Sequence, residues 1–154
     1  MIFLTTTAKH ARPGCYTLLH CKAVFVGFFL YTLFMDKAYL LDVATKRVAI
    51  IWEKAQKAYP KQLANILPPA TSINARLKVT AGYARYNEHS VEFSAELMWE
   101  HTEHFVQDTI PHEVAHILTH IIFPKAKQHH GPEWKSMLKW LLNGGEPKRC
   151  HTLV

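Results

Sequence analysis

The stretch Asp108-Thr109-Ile110-Pro111-His112-Glu113-Val114-Ala115-His116-Ile117-Leu118-Thr119 decides how this chain is read. Asp108 or Thr109 can cap a helix, and Pro111 falls in its first turn, where a missing N–H costs little. The helix is expected to run through Thr119 and to stop before Pro124. His112 and His116 are four residues apart, one turn along the same face, so both imidazoles can reach one ion at about 2 Å. Glu113 stands beside them, placed to accept a proton from water acidified at that ion. Val114 and Ala115 point elsewhere and can pack into a core. Imidazole ligands suit zinc, and hydrolysis requires no redox chemistry. The alternative is a helix with two surface histidines and no metal.

Two histidines leave such a site incomplete, because a catalytic zinc takes three protein ligands and keeps one position for water. Downstream candidates are His120, His129, His130 and Glu133. His120 continues the stripe but lies about 12 Å along the axis from His112, too far for one ion to bind all three helix positions. It therefore reads as a supporting or surface residue. The third ligand has to come from chain that turns back, and the polar loop Lys125–Gly131 supplies the turn. Gly131 lets the backbone approach closely, and Pro132 starts another helix. His130 is the first choice, His129 the alternative, and Glu133 the choice if the third ligand is a carboxylate. An extended pattern with Gly and His three and six residues after the second His is excluded, because those positions hold Thr119 and Ile122.

Outward from this segment the elements are mixed. From Asp36 to Tyr59, Leu41, Ala44, Val48, Ile51, Trp52, Ala55 and Tyr59 recur at helical spacing, with Asp36 as the cap and Pro60 as the stop. Ile73, Ala75, Leu77, Val79 and Ala81 alternate as a half-buried strand. Gly82 permits a bend or bulge. Val91 and Phe93 alternate as a second strand, and Val91–Ser94 is the strand expected to pair with an extended substrate. Ala95–His104 reads as a short helix. A last helix from Pro132 carries Trp134, Met137, Leu138, Leu141 and Leu142, and Asn143-Gly144-Gly145 ends it. The expectation is an α+β, zincin-like single domain: a small β-sheet packed with an N-terminal helix, the active-site helix and a C-terminal helix.

The totals bound the rest. At 154 residues and 49% hydrophobic, the chain suits one compact core and leaves no room for a second full-sized domain. Eleven histidines is a high count, and five of them fall between His112 and His130. Three cysteines, Cys15, Cys21 and Cys150, cannot frame a disulfide-rich secreted fold, so a reducing, cytoplasmic setting is expected. The +6 charge is unevenly spread. Tyr83–Glu113 has one Arg against seven acids, whereas Pro124–Val154 has six Lys or Arg against two. A nucleic-acid contact would favour that basic tail, although most such patches are solvated faces. Glu92, Glu96 and Glu100 read as a solvated acidic face, and Trp52, Trp99, Trp134 and Trp140 as packing residues.

Residues 1–34 differ in character from the rest of the chain. Ala23–Met35 is an apolar run of 13 residues, short of the roughly 20 needed to span a bilayer, so no stable membrane insertion is expected. It has the length of a signal-peptide core but no small-residue cleavage site after it. The abrupt change at Asp36 favours a start at Met35, with 35–154 as the working domain.

His112–His116 followed by His130-Gly131-Pro132-Glu133-Trp134 resembles the SprT-like metalloproteases, the family that includes Spartan. The resemblance covers roughly Ile73 to His151, with Arg76, the Ala81-Gly82-Tyr83-Ala84 turn and Phe105–Pro111 leading into the helix. It implies one catalytic Zn2+ on His112, His116 and His130, with Glu113 as the catalytic residue. It also implies association with single- or double-stranded DNA, nucleoid localisation and the clearing of proteins crosslinked to DNA. Many bacterial members continue into a Cys-rich zinc ribbon. Cys150 and His151 cannot build a four-ligand site, so this chain is expected to lack the ribbon and to meet DNA through its basic tail or a partner. Two rival expectations are a small peptidase indifferent to DNA and a noncatalytic zinc- or DNA-binding module. Glu113 argues against the second, because a structural site needs no base and prefers four protein ligands.

Overall fold

The computed structural model describes the backbone of residues 17–148 and the side chains of residues 37–148. The chain divides into two compact units, Met1–Phe34 and Met35–Val154, of which the second holds the sheet and the later helices. Apart from a helical backbone from Thr17 onward, the expectations attached to residues 1–34 lie outside the described residues, as do Arg149 and Cys150. Among the described residues no helix is long and apolar enough to cross a membrane.

Helix α1 spans Thr17–Ala58, so the helix expected to start at Asp36 begins well before it, with position 36 inside its span. No proline interrupts the stretch, and a cap is needed only where N–H groups are left without helical partners. Its buried stripe is Leu40, Ala44, Val48, Ile51, Trp52 and Ala55, while the expected Leu41 is exposed. The four-residue step from Ala44 back to Leu40 keeps the stripe on one side. Polar anchors fix this helix to later chain. The Arg47 Nε–H donates to the Val106 carbonyl at 2.9 Å, and the Trp52 indole N–H donates to the Ile66 carbonyl at 3.0 Å. Lys54 Nζ donates to the Trp140 carbonyl and sits over that indole. Pro60 breaks the run and opens the short helix α2, Pro60–Leu63.

Next in the chain is a three-stranded sheet: β1 Ala70–Asn74, β2 Gly82–Arg85 and β3 Ser90–Ser94, in the order β1-β3-β2. β1 lies parallel to β3, and β2 antiparallel to it. This corrects three expectations. The first strand lies earlier than its alternating pattern placed it, because the Asn74 side chain accepts the Arg76 backbone N–H at 2.8 Å and turns the chain. Beyond that turn Ala75 and Val79 are exposed, so the apolar alternation there records no burial. Gly82, expected only to permit a bend or bulge, opens a strand of its own that runs to Arg85. β3, expected to receive substrate, is central with both edges already paired.

Ser94 then caps helix α3, Ala95–Glu100, by accepting the Leu97 N–H, while its hydroxyl donates to the Leu77 carbonyl. The short helix α4, Thr102–His104, leads into a π-helical turn, Phe105–Thr109, and this runs directly into α5, Ile110–Ile122. Thr109 is helical and makes no side-chain cap, contrary to expectation, because the helix does not begin there. Pro111 has no N–H for the Gln107 carbonyl, and its ring would crowd that carbonyl in an α-turn. The wider π-turn, closed by Ile110 N–H to the Phe105 carbonyl, accommodates it. Helix α6, Pro132–Leu141, buries Trp134, Met137, Leu138 and Leu141 against the common core. It ends at Asn143 and Gly144, both at positive φ, with the Gly144 N–H returning to the Lys139 carbonyl at 2.8 Å. Trp52 and Trp134 are fully buried, but Trp99 is exposed and packs less than expected. The architecture is mixed α+β, as the sequence implied.

Candidate metal centre

Helix α5 is buried on nearly every side: Ile110 through Thr119 are all buried. Its apolar residues, among them Val114, Ala115 and Leu118, hold it rigidly in the core, so its polar residues are placed as accurately as the packing. His112 and Glu113 are each 5% exposed and His116 is 6% exposed. Burying three such groups on one helix is costly unless each has a compensating partner.

The compensation converges from the loop before α6. His130 Nε2 lies 3.1 Å from His116 Nε2 and 3.3 Å from His112 Nε2. One ion with bonds of about 2.0–2.1 Å to a tetrahedral set of nitrogens would hold them about 3.3 Å apart. A proton can bridge only one nitrogen pair at a time, whereas a single cation satisfies every lone pair in the group. His112, His116 and His130 therefore form a group that could hold a metal ion. His129, the alternative, is exposed, and its Nδ1 lies 3.1 Å from the Tyr86 hydroxyl. His129 and Glu133 stand outside the group.

Trp134 backs all three imidazoles. Its ring centroid lies 4.3 Å from that of His130, 4.8 Å from His112 and 5.1 Å from His116, the last nearly parallel. A large buried ring touching each imidazole restricts their rotation and excludes water behind them. The apolar stripe of α6 showed Trp134 as a packing residue, but only the fold reveals what it packs against.

Strand β2 covers the other part of the site. A Cβ at Gly82 would lie 3.1 Å from Glu113 Cγ and 3.0 Å from both the Glu92 carbonyl and Phe93 Cδ1. Gly82 is thus required for close approach. Gly82→Ala is expected to cost about 1–3 kcal/mol in denaturant unfolding, with the displacement falling on Glu113 and β3. An unchanged midpoint would show that β2 is free to move away.

Tyr86, just past β2, carries no signal in the sequence. Its ring stacks on His120 at 4.9 Å, which accounts for His120 outside the metal group. Burial, and secondly the negative charge of Glu113, push its phenol pKa above the ordinary value. No spacing rule could have found it, because it reaches the site through a turn and a strand pairing.

Residues 47–151 match the SprT-like family. Protein SprT of Pseudomonas paraeruginosa is 36% identical over 85 residues, covering 54% of this chain and 51% of its own length. Protein SprT of Pseudomonas syringae pv. syringae is 32% identical over 111 residues, 72% of this chain and 65% of the relative. The chain thus spans about half the length of the first and two thirds of the second. No solved structure matches it.

Proposed function

Because the chain belongs to the SprT-like family, we propose that it is a zinc-dependent endopeptidase acting on DNA-bound or crosslinked proteins. The observation that carries this reading is the convergence of three imidazole nitrogens, at 3.1 and 3.3 Å, with a buried carboxylate next to them in sequence. Residues 35–154 are the working unit, His112, His116 and His130 hold the ion, and Glu113 is the base. Zinc bound there would supply Lewis-acid chemistry, acidifying water and polarising the substrate carbonyl. The Glu113 carboxylate takes a proton from the attacking water and passes it to the leaving amine nitrogen. Trp134 keeps the imidazoles aligned. With β3 enclosed, β1 and β2 are the two edge strands, and β2, which passes over Glu113, is the one that receives an extended peptide.

DNA association rests on family membership and on charge. Lys125, Lys135 and Lys148 are exposed in the C-terminal segment, where lysines can neutralise phosphates. The test is cleavage of a DNA-binding protein by the purified chain. Chelation should abolish cleavage and one equivalent of zinc restore it, and single- or double-stranded DNA should raise the rate in a salt-sensitive way. Cleavage indifferent to chelator would sink the zinc assignment. Metal-dependent cleavage that DNA leaves unchanged would identify a general peptidase instead.

A further inference from the structure

The loop that carries His130 also walls a cavity of about 110 Å3 beside His116. Tyr86, Thr119, His120, Lys127 and His129 line it, and among the described residues the lining includes no carboxylate. Lys127 is the one described lining residue with a fixed charge. The Thr119 hydroxyl, on a residue only 6% exposed, has no hydrogen-bond partner among the described residues. Thr119 lines the cavity, and a buried hydroxyl is rarely left unbonded, so this covered oxygen is a donor in want of an acceptor behind the wall. Tyr86 adds a phenol, and its place against His129 and His120 sets it at the edge of the same space. The wall therefore offers a cation and several O–H and N–H donors, a combination that selects an acceptor-rich anion.

From this we infer that the cavity is a recognition subsite for the carboxylate side chain of an Asp or Glu beside the peptide bond to be cut. The inference rests on the peptidase reading for the identity of the ligand. His116 forms part of both the metal group and the cavity wall, so a side chain in the cavity lies next to the reacting bond. Lys127, exposed at the loop surface, supplies the charge that favours carboxylate over amide. Thr119, His120 and the one proton that the Tyr86–His129 pair leaves free supply the hydrogen bonds that orient it.

The experiment uses labelled decapeptides that carry a single Glu, Gln or Lys at each position in turn. They are bound to the zinc-loaded Glu113→Gln protein and, separately, cleaved by the unaltered one. Glu peptides should bind about tenfold more tightly than their Gln counterparts at one position, as expected for one charge-assisted contact. Lys127→Glu should shift that preference to Lys. Thr119→Val, which keeps the side-chain shape, should weaken Glu-peptide binding about tenfold while leaving the thermal midpoint unchanged. Equal binding of all three peptides, or a Glu preference that survives Lys127→Glu, would overturn the subsite even if cleavage is robust. Selective Glu binding with no cleavage by the unaltered protein would instead overturn the peptidase reading and leave the subsite in place.

Discussion

Replacing Glu113 with Gln is expected to reduce peptide cleavage by about 10²–10⁴-fold while fold and metal content stay as they were. Gln keeps the volume and one acceptor oxygen of the side chain but cannot accept the proton from the attacking water. The site is built to make this difference visible. Glu113 is buried, its backbone belongs to a helix packed on nearly every side, and β2 passes within a methyl group's reach of its side chain. Its position is therefore fixed, and the amide will occupy the same place. Circular dichroism and zinc analysis would establish that only the chemistry changed. Cleavage at the unaltered rate would remove Glu113 from the mechanism.

The second large effect concerns the metal itself. His116→Ala is expected to lower zinc affinity by more than about a hundredfold, since altering partners one shell further out already costs about 10–100-fold. His112→Ala and His130→Ala should behave alike, whereas His129→Ala should retain the metal, because its ring is engaged with Tyr86. Stability gives an independent measure. A ligand at a thousand times its dissociation constant stabilises the folded state by about 4 kcal/mol, so chelation should lower the thermal midpoint of the unaltered protein but leave His116→Ala unmoved. If His129→Ala lost the zinc and His130→Ala kept it, the proposed ligand set would be wrong.

How much of the centre was legible in the sequence depends on how local each feature is. The spacing of His112 and His116 is a property of one helix turn, so it could be read without the fold. His130 was reachable by a further step, because the loop that returns it is short and bounded by Gly131 and Pro132. The sheet was less accessible. A four-residue strand beginning at Gly82 has too little pattern to register, and the apolar alternation continued past the turn at Asn74 into exposed positions such as Val79. The central position of β3 depends on a parallel pairing with β1 across the intervening chain, which no local signal encodes. Tyr86 and the contacts of Trp134 belong to the same class. They arise from elements meeting in space, and residue type alone does not announce them.

The π-turn at Phe105–Thr109 has a consequence for chain length. Because its closing bond reaches five residues back, it holds one residue more than an ordinary turn would require. Deleting a single residue there would tighten it into an ordinary α-turn, and the helix beyond would keep nearly its present bearing. The Pro111 ring would then press on the carbonyl four residues back, and the strain would fall one residue before His112 as a kink at the start of the helix that carries the centre. The surplus residue is the room that the proline occupies.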